Sequence, residues 1–274
     1  MLVVLLVVAG VVFLVKGKHV PLLPQPTSCT ATAGKQQLPL TVSQADIAAI
    51  IAGVAARRDL PTKAVTIAYA AALQESKLSN LSYGDRDSVG VFQQRPSEGW
   101  GTTRQIENPV YATGRFFAAL AAVPGYQRMP VYEAAQAVQH SADGYAYGQY
   151  ATAGAELAEA FSGAQPHAFS CYYARPAGKP RLAAARRALI STFGDLNSQQ
   201  VGDPAMAIRV VRPREGWALA AWLIANASSY GISDVRYLGY EWLYGHGSGN
   251  WIRERPRAGS RAPAQAAPTT VVFG

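Results

Sequence analysis

Glu75 is the first residue whose surroundings point to chemistry. Counting back from it by helical steps, Ala71, Ala68 and Ala64 share its face, and Leu78 follows three residues on. A carboxyl group among apolar side chains keeps a proton more readily than one in water, and a retained proton is what a general acid donates. The same stretch allows a plainer reading, a Glu emerging into solvent at the last turn beside Lys77, because the helix is nearly apolar all round and its phase is poorly set. Further on, Asp85 and Asp87 lie in a run rich in Gly, Asp and Ser, where such residues cap turns. The four histidines, His19, His140, His167 and His246, show no two at ligand spacing, so neither a metal nor a cofactor is expected. Gly245-His246-Gly247-Ser248-Gly249 lacks the strand-turn-helix context and the Lys of a phosphate loop and reads as a turn.

The elements that must position these side chains are mostly helical. Ser43 with Asp46 has the spacing of a capping box, and Ile47, Ile50, Ile51 and Val54 recur at i, i+3, i+4 and i+7 until Arg57 and Arg58 close the helix. Pro61 opens the helix that carries Glu75, Asn108-Pro109 a third, Pro130 a fourth, and residues 145–161 continue in the same manner. Between them, residues 84–100 read as a structured loop with a short hairpin. After Pro176 and Pro180 the pattern changes to a helix over 181–193, a β-branched run at 208–211, a helix over 215–230 and a strand at 235–237, a small α+β or βαβ unit. The expected fold is mainly α: an α-domain at 29–175 and a small α+β domain at 176–257. Residues 1–28 precede it as signal or anchor plus linker, and 258–274, with their Ala, Pro, Thr and Arg, follow as a disordered tail.

Residues 2–15 are all apolar or glycine, too short for the ~20 residues that span a bilayer and close to the length of a signal-peptide core. Export is expected, either as a cleaved extracellular protein or held in the envelope by that segment. The two cysteines, Cys29 and Cys171, stand at the two ends of the α-domain, and in an oxidising compartment they are expected to be bonded; in a reducing one they are two small buried residues.

Two stretches together carry a family resemblance. Glu75-Ser76 at a helix end, followed by Gly90-Val91-Phe92-Gln93 and Pro96, resembles the lysozyme-like lytic transglycosylases and goose-type lysozymes, with Val and Phe where those enzymes have Leu and Met. Gly84-Asp85-Arg86 is similar to the goose-type connection, and Gly99-Trp100-Gly101, Asn108 to Thr113 and Glu133 to Gln139 resemble a set of exported lysozyme-like proteins of high-GC bacteria. The resemblance covers about half of the chain. It implies that Glu75 protonates the glycosidic oxygen between N-acetylmuramic acid and N-acetylglucosamine in peptidoglycan. It also implies that Asp85 or Asp87 is the helper and that Gln93 and Tyr145 contact sugar. Where such transglycosylases show Ala-Tyr-Asn-Ala-Gly, this chain has His140 to Tyr145.

Composition bounds the partners. Among 274 residues, 25 Lys and Arg stand against 17 Asp and Glu, a net charge of +8, with 49% hydrophobic and 15% charged residues. That excludes a disordered chain and, with one apolar run, a polytopic membrane protein. The charge suits anionic wall polymers, whereas no aromatic-basic platform points to nucleic acid. The later segment, with Trp217, Trp222 and Trp242, faintly resembles the end of cell-wall D-Ala-D-Ala peptidase-like domains but lacks their His and Asp zinc ligands. It is left as a wall-binding module or as a unit whose tryptophans are core. The rival to an enzyme is a catalytically silent, membrane-tethered glycan-binding or scaffold protein of the envelope.

Overall fold

Of the described residues, 45% are helical and 19% extended, in two antiparallel sheets, so the chain is an α+β protein and not a mainly α one. The computed structural model describes residues 26–141, 143–246, 249–254 and 269–274. The apolar run at 2–15 lies outside them; among the described residues no helix is long and apolar enough to cross a membrane.

The strands missed in the first half are β1 (Ser28–Ala33), β2 (Gln36–Leu40) and β3 (Phe169–Tyr172), which form a three-stranded sheet in the order β2-β1-β3. β1 alternates with period two: Cys29, Ala31 and Ala33 point into the core while Ser28, Thr30 and Thr32 point out. Five or six residues of alternation leave little signal, and the partner β3 lies some 140 residues away, so pairing could not be read locally. The register places Cys29 directly opposite Cys171, and the two are disulfide-bonded. The bond sets the chain in an oxidising, exported setting. It closes a separation of 142 residues, worth about 4 to 5 kcal/mol in the chain-entropy model. Replacing both cysteines with serine is therefore expected to cost about 4 kcal/mol in urea unfolding, with a raised m-value because the unfolded chain is released to expand. A loss below about 1 kcal/mol shows that the reduced chain is already restrained.

The helices follow. α1 (Val42–Arg57) is capped by Thr41, whose side chain accepts from the Gln44 amide while Gln44 returns a bond to the Thr41 amide, so the box is Thr41/Gln44 and not Ser43/Asp46. Asp46 instead accepts from Asn226 Nδ2 at 2.8 Å; its burial raises the carboxyl pKa, with that hydrogen bond partly opposing. Then come α2 (Thr62–Ser76), α3 (Thr103–Ile106), α4 (Pro109–Ala121, capped by Asn108), α5 (Val131–Gln139) and α6 (Ala151–Phe161).

The later segment holds α7 (Leu182–Phe193), β4 (Asn197–Gly202), β5 (Ala205–Arg209), α8 (Pro213–Ala225), α9 (Ala227–Tyr230), β6 (Asp234–Tyr237), β7 (Tyr240–Leu243), β8 (Ile252–Arg253) and β9 (Thr270–Phe273). Its sheet runs β4-β5-β9-β6-β7-β8, antiparallel throughout, which excludes a βαβ unit. β9 corrects the expected disordered tail. Thr270-Val271-Val272-Phe273 is an inner strand with Val271 and Phe273 fully buried, a short β-branched run masked by the Ala- and Pro-rich composition around it. Residues 258–268 of that tail lie outside the described residues.

The boundary expected at 175/176 is crossed by one apolar core. Residues 47–55 of α1 are all buried, because α7 and α8 cover the side that α2 and α4 leave open. Trp217, Trp222 and Trp242 are 6%, 2% and 0% exposed, so these indoles are core. Trp242 Nε1 donates to the Cys171 carbonyl at 2.9 Å, and Tyr173 Oη donates to the Ile224 carbonyl at 2.7 Å.

Candidate active site

Glu75 sits in the last turn of α2, half-buried. The helix stops because Lys77, in the left-handed region at φ 54°, caps it, and Leu78 at φ 58° turns the chain away. Ser76 fastens that end: its hydroxyl donates to the Val91 carbonyl at 2.7 Å and accepts from the Ser79 amide at 3.1 Å. The two stretches singled out in the sequence are thereby joined. The Gly90–Gln93 turn lies against the end of α2 and belongs to a small hairpin bridged at Leu81–Gly90 and Val89–Gln94. Gly90 is required there, since φ is 81° and a Cβ would stand 2.8 Å from the Ile106 carbonyl oxygen. Phe92 anchors the turn, stacked on Phe116 of α4 at 4.5 Å.

Two donors hold the Glu75 carboxyl. Tyr147 Oη donates to Oε1 at 2.7 Å, and Gln139 Nε2, at the end of α5, donates to the same Oε1 at 3.2 Å and to the Phe92 carbonyl at 2.8 Å. Burial, followed by the bond to Glu75, drives the Tyr147 phenol pKa far upward, so its hydroxyl stays a neutral donor. With Oε1 saturated by donors, a proton on this carboxyl belongs on Oε2.

Glu75 opens into a groove of about 1180 Å³, above the ~300–1,000 Å³ usual for small-molecule sites and suited to an extended polymer. Small residues of α4 and α5, Ala118, Ala119 and Ala137, with Ala122 at the end of α4, form its walls, and Trp100, Arg115 and His140 add aromatic and polar surface. Among the described residues no group of three or more His, Cys, Asp or Glu converges as a metal site.

The other residues named from the sequence separate. Gln93 lines the groove, its amide donating to the Gly90 and Tyr83 carbonyls at 3.2 and 3.3 Å. Asp85 also lines it, with its side chain 92% exposed. Asp87 does not: it accepts from Arg95 Nε at 2.8 Å and from the Ser97 amide and hydroxyl at 2.8 and 3.0 Å, pinning the 84–100 loop as a turn-forming residue. Chiefly through Arg95, its pKa is lowered to about 2. A carboxyl depressed in the folded state supports the fold above its unfolded value, 3.8, and loses that support as pH falls through about 2. The Ser97 amide resonance is therefore expected to titrate with a midpoint near pH 2, whereas a midpoint near 4 means the clamp is not formed.

Tyr145 points away, 77% exposed and packed on Tyr132 with ring centroids 5.2 Å apart; the tyrosine at the carboxyl is Tyr147. The pair Ala146-Tyr147, two residues beyond Tyr145, is the sequence signal that matches the Ala-Tyr of the transglycosylase pattern. Gln139, 64 residues from Glu75, carried none beyond its place at the end of an amphipathic helix. Set against known proteins, the chain matches no family model and no curated protein sequence.

Proposed function

We propose that this is an exported peptidoglycan-cleaving glycosidase in which Glu75 is the acid. The observation that carries the reading is the Glu75 carboxyl at a polymer-sized groove with Oε1 held by Tyr147 and Gln139, so that Oε2 is the oxygen left to meet a glycosidic bond. Glu75 gives its proton to the glycosidic oxygen as the C1–O bond breaks and positive charge gathers on the muramyl ring. The resulting carboxylate then takes a proton from the attacking hydroxyl, which restores the acid.

That hydroxyl is the muramyl 6-hydroxyl in a lytic transglycosylase and water in a muramidase. The commitment of both Asp87 oxygens to the loop and the exposure of Asp85 favour the first, since a substrate-borne nucleophile needs no second carboxylate to position it. The apolar segment at 2–15 serves export, as a cleaved signal or as an envelope anchor. Mass analysis of the soluble products from purified cell wall decides the reaction: anhydro-muropeptides, lighter by one water, are expected. Reducing ends identify a muramidase, and absence of both with retained glycan binding leaves the silent binder.

A further inference from the structure

A second pocket, of about 350 Å³, lies on the outer face of the three-stranded sheet. Its floor is a hydroxyl array: Ser28, Thr30 and Thr32 from β1, with Ser170 paired opposite Thr30 and Tyr172 opposite Ser28. Side chains on one sheet face repeat at ~7 Å along a strand and ~5 Å across strands. That grid matches the spread of hydroxyls around a pyranose ring, and a hydroxyl both donates and accepts, as a sugar hydroxyl does.

The wall is aromatic and built in place. Trp251 is held by its Nε1 bond to the Phe169 carbonyl at 2.9 Å. Beside it, His167, at φ 55°, packs against Tyr240 and Trp217 with centroids 3.8 and 4.4 Å away. His167 Nε2 is buried with no hydrogen-bond partner among the described residues. Burial, and then nearby Arg253, lowers the His167 pKa, so the ring is neutral. Among the described residues no Lys, Arg, Asp or Glu lines the pocket; Arg253 itself lies over the Tyr240 ring, 4.9 Å from its centroid. An anion would find no charged partner among the described residues of these walls, and a purely apolar ligand would leave the hydroxyls unpaired.

We propose that this face is a second glycan site, separate from the Glu75 groove, that binds an uncharged pyranose through the Thr30/Ser170 array and Trp251. It goes beyond the cleavage reading and stands independently of it. The test is a titration of full-length Glu75→Gln protein, by amide and indole NMR, with the neutral trisaccharide of N-acetylglucosamine. Saturable shifts at Thr30, Ser170 and the Trp251 indole are expected, weakened at least tenfold by Thr30→Arg, with shifts at Gln139 and His140 unchanged. Thr30→Ala is a milder companion should the arginine perturb folding, and is expected to weaken binding severalfold. Shifts at the groove alone, or sheet shifts indifferent to both substitutions in folded protein, overturn the second site and leave the cleavage reading intact. Shifts at the sheet alone sustain it and count against the groove, and no shifts anywhere at millimolar sugar overturn it.

Discussion

Glu75→Gln protein is expected to cleave glycan strands at least ~10²-fold and up to ~10⁴-fold more slowly than the parent, the usual contribution of a positioned acid, with its melting temperature nearly unchanged. The amide retains a carbonyl oxygen where Oε1 accepts from Tyr147 and Gln139, so both bonds and the link to the Phe92 carbonyl persist. What is lost is the transferable proton. Tyr147→Phe separates holding the acid from being the acid. It removes one of the two donors on Oε1 and is expected to lower kcat about tenfold, the effect of about 1.4 kcal/mol, with KM little changed. Release of soluble muropeptides measures both. A Glu75→Gln protein that works at the parental rate removes Glu75 as the acid, and a Tyr147→Phe protein with unchanged kcat means that Gln139 and the helix end suffice to hold it.

Ending the chain after Pro176 is expected to abolish folding, and with it any cleavage. The chemistry lies before that residue, but the core that supports it does not. α1 is buried on every side, and the side facing α7 and α8 would meet water. Thr192 of α7 approaches so closely that a Cβ on Gly53 of α1 would come within 2.5 Å of its Cγ2. Trp217, Leu219, Trp222, Leu223, Ile224 and Trp242, none more than 6% exposed, would be deleted. Without them the apolar face of α1 is left in water, at roughly 1.5–3 kcal/mol for each large remaining side chain no longer buried, against the ~5–15 kcal/mol that holds an ordinary domain together. Circular dichroism with thermal melting decides this. A truncated chain with parental helicity and a cooperative melt would show that the first half is self-sufficient and the shared core dispensable.

The sequence by itself determined the helices and singled out Glu75. Apolar periodicity, Pro at helix starts and Asn108 as a cap are local signals, and hydrogen bonds within a helix are local too, so α1, α2, α4, α5 and α7 fall where the pattern put them. The pairing of two cysteines in an exported chain admitted only one partner, whereas the bond from Ser76 to the Val91 carbonyl, which joins Glu75-Ser76 to Gly90–Gln93, came from the fold.

Tertiary structure decided the rest. β1 and β3 meet across more than 130 residues, and β9 enters its sheet between β5 and β6. Strand pairing of that kind depends on which distant segment offers a matching edge, which no local pattern states. The choice of Tyr147 over Tyr145, Gln139 as the second donor and Asp87 as a loop clamp also came from packing. A side chain's role depends on the direction in which its backbone aims it, and within the turn that follows α5 a shift of two residues separates an exposed phenol from one bonded to Glu75.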